Sequence, residues 1–360
     1  LGVAIGDGMG APVEGLSAAE IARRFPTWDW THFLPSQEWK PKGEGRITDD
    51  TLMTEALMRA YIAAGEHLDA FGFRDFLLPE YCERQVWVPE LQRQTAILDR
   101  LNYLERYALF RLRYAGAEPR IAGVGNGLNC AIAMFIMPVG AVNAGDARAA
   151  YHEAAELGMA EAHSYAVEGA AALAAAYAAA FAPGADAETC IAAARAHARD
   201  GTRAAIAAAV AASDPADPLE RWIERVLAAI QPFTNTPLAA PTVPLEADPA
   251  MHRKSVADPA MAFEEVPVAL AALRWGGGDF LRTLEAAVRF GRDCDSIAGM
   301  ACGLCGALVG RAGIPDALAA ASAAANRRDW PADAAAFAAV CRRIHAKDAA
   351  RWAVRQGALA

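Results

Sequence analysis

The stretch Ala170–Ala182, AAALAAAYAAAFA, decides the fold class. Alanine loses no side-chain entropy on entering a helix and brings no polar group that needs a partner, so a run this dense in it has a strong helical preference. The same reading covers Ala192–Ala212. Tyr177, Arg195, His197, Arg199 and Arg203 interrupt these tracts, as expected of packed or half-exposed helices in a globular protein. Nowhere does a run of about 18 large apolar residues occur, so no membrane-spanning helix is expected.

Helical patterning continues on both sides. Gly2–Gly15 reads as a helix running into a loop, and Pro26–Gly45 as a long loop. Leu52, Ala56, Ala60 and Ala64 make one stripe of a helix that begins at Leu52. Leu91–Tyr114 reads as a helix from the spacing of Leu98, Leu101, Leu104, Ala108 and Leu112, with Arg and Glu on its other face. Beyond a glycine-rich break at Gly123–Gly127, the chain is expected to be nearly all helix to Phe181. Further helices are predicted at Ala187–Ala212, Leu219–Ile230, Val266–Trp275, Phe280–Phe290, Ile297–Val309 and near the C-terminus. Residues 231–260 read as an irregular, proline-rich connection. No segment carries several alternating strands, so the expectation is one all-α domain over residues 1–360.

At 360 residues the chain can bury a substantial core, and its 54% apolar and 21% charged residues are a globular balance. The net charge of −9, with Lys and Arg scattered, argues against a nucleic-acid backbone as partner. Seven cysteines, mostly in apolar helical context, read as reduced thiols of a cytoplasmic protein. The chain opens at Leu1 inside a helical pattern, so a short preceding piece is expected.

Two oxygen-rich clusters carry the chemistry. Thr48-Asp49-Asp50-Thr51 stands directly before the helix from Leu52. Thr and Asp are natural N-caps, but one cap suffices for one helix, and adjacent carboxylates repel unless a cation or the helix dipole offsets them. Arg292-Asp293-Cys294-Asp295-Ser296 precedes the helix at Ile297. In an extended segment residues two apart share a face, so Asp293 and Asp295 would point at one ion, with the Ser296 hydroxyl beside them. Capping again explains this cluster taken alone. Carboxylate and hydroxyl oxygens in two clusters, with no His or Cys set at zinc spacing, suit Mg²⁺ or Mn²⁺. Gly299, Gly303, Gly306 and Gly310 follow on the second helix and imply close approach of a neighbouring helix. Glu14, after Gly6-Asp7-Gly8-Met9-Gly10, is a carboxylate within reach of a ligand or a solvated loop residue. Gly123-Val124-Gly125-Asn126-Gly127 has the glycine content of a phosphate-cradling loop but not the dinucleotide fingerprint.

Taken together these segments resemble the ADP-ribosylglycohydrolase family. The matching stretches are GVAIGDGMGAPVEG at Gly2–Gly15, ITDDT at Ile47–Thr51, GNG at Gly125–Gly127, EEVPVALAAL at Glu264–Leu273 and GRDCDSIAG at Gly291–Gly299. The resemblance implies an all-α orthogonal bundle with two Mg²⁺ ions, or Mn²⁺, in a central cleft. It implies Thr48, Asp49, Asp50, Asp293, Asp295 and Ser296 as metal ligands. Glu14 corresponds to a glutamate near the scissile bond; Gly125, Asn126 and Gly127 to a loop along the substrate phosphates; His163 to a histidine lining the cleft. The implied reaction is metal-assisted hydrolysis of an N-glycosidic bond to ribose, with Glu14, Asp49 or Asp295 accepting the proton. The implied partner is an ADP-ribosyl or ribosyl substrate, for a monomer that binds neither nucleic acid nor membrane.

The departures are specific. After GNG this chain continues Leu128-Asn129-Cys130-Ala131 with no Arg, and a cysteine stands between the two late aspartates. The first removes a cation from beside a phosphate loop, which makes a nucleoside-like metabolite an alternative substrate. A third alternative is a non-catalytic scaffold such as the crystallins of this family.

Overall fold

The computed structural model describes residues 1–37, 42–234 and 262–359. Apart from a short turn at Gln231–Phe233 and Thr234, the expected proline-rich connection lies outside the described residues.

The main helices, in order, are α1 (Gly2–Gly10), α2 (Asp49–Ala64), α3 (Tyr103–Tyr114), α4 (Ala147–Gly158), α5 (Ser164–Ala180), α6 (Ala187–His197), α7 (Asp200–Ala212), α8 (Leu219–Ile230), α9 (Ala262–Gly276), α10 (Phe280–Phe290), α11 (Cys294–Val309), α12 (Asp316–Asn326) and α13 (Trp330–Leu359). The all-α expectation holds. α5, which contains the alanine tract, is buried on every side from Gly169 to Ala180. Its small side chains let α4, α6 and α9 pack closely around it. Its one large polar residue there, Tyr177, is satisfied by donating to the Met300 carbonyl on α11 at 3.0 Å. Among the described residues no helix is long and apolar enough to cross a membrane.

α1 lies against α11, and glycine makes this possible, mainly from α1. A Cβ at Gly6 would overlap the Ala298 carbonyl, and one at Gly10 would lie 2.5 Å from the Asp295 Cα. On α11 itself, Gly299 has ordinary room for a Cβ. The expected close approach is real, but most of the glycines that require it sit on the opposite helix.

Two other expectations are corrected. The helix foreseen from Leu91 begins at Tyr103; before it, Gln85–Val88 and Arg93–Ala96 pair as an antiparallel hairpin, Gln85 opposite Ala96 and Val88 opposite Arg93. The turn between them places Gln92 at φ +51°, which a helix cannot contain. The run Ala187–Ala212 divides into α6 and α7, because Ala198 is extended and the Arg199 amide donates to Glu168 at 2.6 Å.

Candidate metal centre

α2 starts at Asp49, with Thr48 in the capping position, yet the Thr48 side chain caps nothing. Its hydroxyl donates to Asp50 Oδ2 at 3.1 Å. The open amides of the first turn are met instead by Asp7 of α1, which accepts from Thr48 N at 2.9 Å, Thr51 N at 3.2 Å and Thr51 Oγ1 at 2.5 Å. Capping is thus done by a residue from elsewhere in the chain, and Asp50 Oδ1 is left buried without a hydrogen-bond partner among the described residues.

The second cluster is built differently from the extended segment expected. α11 begins at Cys294, so Asp295 and Ser296 occupy its first turn and Asp293 its capping position, again without a capping bond from its side chain. The aspartates converge nonetheless. Backbone bonds from Gly15 N to Arg292 O (2.6 Å) and from Arg292 N to Leu16 O (2.7 Å) clamp the loop before α11 to the segment after α1. Arg292 takes a left-handed conformation, φ +62°, to allow it. This clamp sets Glu14 beside Asp293.

The outcome is a chain of acidic groups. Asp7, Asp50 and Asp295 bring oxygens within 4.8 Å of one another, and so do Glu14, Asp293 and Asp295. Asp295 belongs to both sets. Lys42 is a cation already present, with Nζ 2.8 Å from Glu14, 3.7 Å from Glu90 and 3.8 Å from Asp295. Burial opposes its charge, but Asp295, Glu14 and Glu90 outweigh that and hold the ammonium above its ordinary range.

So many buried carboxylates cannot all ionise without positive charge. Burial first, tempered by hydrogen bonds from Thr51 and Thr48, moves Asp7 up to about 7. Asp50, Asp293 and Asp295 are likewise pushed well above the carboxylate range, by burial and then by neighbouring carboxylates. Oxygen donors with an orphaned Asp50 oxygen among them, at the converging N-termini of α2 and α11, form a donor set that fits hard divalent cations.

The remaining predicted site residues are placed as follows. Asp49 is engaged by Arg100 at 2.7 Å and Asn102 at 3.2 Å and lies outside the carboxylate sets. Ser296 is buried, its amide donating to Asp295 Oδ1 at 3.2 Å. Asn126 is buried and its side chain is spent on structure: Nδ2 donates to Leu104 O and Glu161 O, both at 2.8 Å, while Oδ1 accepts from Gly127 N at 3.0 Å. The Asn126 amide bonds to Gly123 O, so two of the three amides of Gly125–Gly127 have partners inside the loop. His163 holds the Asn126 carbonyl through Nε2 at 2.9 Å.

Asp7, Lys42, Arg100, Cys130 and Glu265 were not foreseen as members or neighbours of this centre. Two of them leave a trace in the sequence: Asp7, as a carboxylate inside a helix otherwise made of small and apolar residues, and Glu265, as the second residue of the matching stretch Glu264–Leu273.

The comparisons with known proteins bear on the fold and the family. A solved structure described as an ADP-ribosylglycohydrolase-related protein complex is similar in fold, with a TM-score of 0.62 and 21% identity, covering 95% of each chain. No curated protein matches the sequence. The profile of the family described as ADP-ribosylglycohydrolase matches residues 1–352. The chain therefore belongs to the ADP-ribosylglycohydrolase family, whose class of reaction is hydrolysis of a glycosidic bond.

Proposed function

We propose that this protein is a Mg²⁺-dependent hydrolase that cleaves the N-glycosidic bond between ADP-ribose and an acceptor nitrogen. The observation that carries the reading is the sharing of Asp295 between the Asp7–Asp50 pair and the Glu14–Asp293 pair. One ion would be held by Asp7, Asp50 and Asp295 with the Thr48 hydroxyl nearby, the other by Glu14, Asp293 and Asp295 with Ser296. Asp49 would join by exchanging its present partners. When bound, such cations supply Lewis-acid activation of water and of ribose hydroxyls.

The chain's own groups do the rest. Glu14, at the partly exposed edge of the centre, is the carboxylate best placed to take a proton from water as oxygen adds to the anomeric carbon and the bond to nitrogen breaks. Asp49 and Asp295 are the alternatives for that role. The departing nitrogen leaves with the electron pair of the broken bond and takes up the proton that the carboxylate removed from water, which returns that carboxylate to its starting state. Surrounding carboxylates favour the positive charge that develops on the sugar ring. His163 and Asn126 shape the glycine loop, which would lie along the substrate.

A specific observation favours a second reading. The loop's amides are largely occupied and no Arg follows it, so recognition of a pyrophosphate is weaker than the family pattern implies. The alternative is an N-glycosidase for a nucleoside-like metabolite. The test is release of ADP-ribose from ADP-ribosyl-arginine and of ribose from nucleosides, each with Mg²⁺ and with chelator. Metal-dependent ADP-ribose release is expected. Ribose release from nucleosides alone would transfer the assignment to the alternative, and turnover that is indifferent to chelator would overturn the metal dependence.

A further inference from the structure

Beside the hard-oxygen centre lies a third group of different chemistry. Cys130 Sγ, Glu265 and Asp293 bring one ligand atom each within 4.8 Å of one another. Cys130 comes from the bend that follows the glycine loop, and Glu265 from the first turn of α9. A backbone bond from Ala262 N to Leu128 O, 3.0 Å, fastens these two segments together. Glu265 is fully buried, and neither carboxylate oxygen has a hydrogen-bond partner among the described residues. The groups facing it are Asp293 and the Cys130 thiol, which itself donates to Asp293 Oδ2 at 3.3 Å.

Two buried carboxyl groups facing each other beside a thiol, with no basic side chain or backbone amide among the described residues donating to Glu265, need either a shared proton or a metal cation between them. We propose that Cys130, Glu265 and Asp293 form a separate cation site for a borderline, thiol-accepting divalent ion such as Zn²⁺. One sulfur and two carboxylates suit zinc or cobalt far better than magnesium, which takes oxygen ligands and keeps its water. The site is distinct from the hydrolytic centre in its donor chemistry but is coupled to it. Asp293 belongs to both, so filling one changes the affinity of the other.

The probe is Co²⁺ titrated into the full-length protein, followed by the thiolate-to-cobalt charge-transfer absorption. The wild type is expected to show the band and Cys130→Ser to lose it. Asp50→Asn is expected to keep it, whatever that change does to hydrolysis. No band in the wild type, an unchanged band in Cys130→Ser, or its loss from a folded Asp50→Asn each overturns a separate thiol site. Should Cys130→Ser fail to fold, Glu265→Gln carries the test, with Co²⁺ affinity weaker by about tenfold or more; unchanged affinity contradicts the assignment. X-ray absorption of the Zn²⁺-loaded wild type should show one sulfur neighbour at about 2.3 Å, and a shell of oxygen and nitrogen alone refutes it.

Discussion

Asp50 and Asp295, from the starts of two helices near opposite ends of the chain, bring carboxylate oxygens within 4.8 Å of each other, with Asp7 completing the group. Both are buried, and neither is needed as a cap. Asp295→Asn and Asp50→Asn should each lower kcat/KM by more than about 100-fold, beyond the 10–100-fold typical of residues that only support a ligand. The apo proteins should keep or gain thermal stability, because a buried repulsion is removed. Wild-type activity in either variant would remove that residue from the centre.

The raised carboxyls set a pH dependence. Asp7 and Glu265 hold their protons up to about 7 in the folded state, against ordinary values of 3.8 and 4.5. Between those limits the native chain binds more protons than the unfolded one, so stability falls as pH rises. Chelator-treated protein should therefore melt higher at pH 5 than at pH 8. Added Mg²⁺ should raise the melting temperature most at pH 8, where the carboxylates are free to bind it. A metal-free melting temperature that climbs over this range contradicts the placement of these groups.

Gly6 and Gly299 give opposite expectations on two helices in contact. The Gly6→Ala Cβ would overlap the Ala298 carbonyl, forcing α1 away from α11 and Asp7 away from Asp295. Destabilisation of about 1–3 kcal/mol or more is expected, with loss of turnover. At Gly299 the nearest atom to a new Cβ is 3.8 Å away. Gly299→Ala should be neutral to stability or gain up to about 1 kcal/mol from helix propensity. Thermal melts of the two variants check both.

His67 fastens the C-terminal helix, reaching Glu153 on α4 at 2.5 Å and Asp348 on α13 at 2.9 Å. Burial alone would lower its pKa, but Glu153 and then Asp348 outweigh this and lift it to about 9. The stabilisation is complete below the ordinary value of 6.5 and is lost as pH rises through about 9. His67→Asn should cost about 1 kcal/mol at pH 6. The gap between variant and wild-type melting temperatures should close by pH 10; a constant gap would show that packing, not charge, is responsible.

Much of this was legible before the fold was described. The alanine tract of α5 and the amphipathic α8 and α10 follow from helix propensity and spacing, and the last two match their predicted limits. The two aspartate clusters stand out because each holds more oxygens than a cap requires. What escaped depends on partners distant in sequence. Arg93–Ala96 becomes a strand only because Gln85–Val88 lies beside it. Asp7 is one carboxylate in an apolar helix until the start of α2 is placed over it. Cys130 and Glu265 meet through a backbone bond between segments with no shared pattern. The glycines of α11 suggested a close contact, but the partner that most needs it was α1.

The proposed centre requires Asp295 to serve two ions at once, and Mn²⁺ titration followed by electron paramagnetic resonance measures that directly. Wild-type protein should take up a spin-coupled pair of Mn²⁺ ions, and Asp295→Asn should lose tight binding of both. Uptake of the same coupled pair by Asp295→Asn would contradict the shared centre.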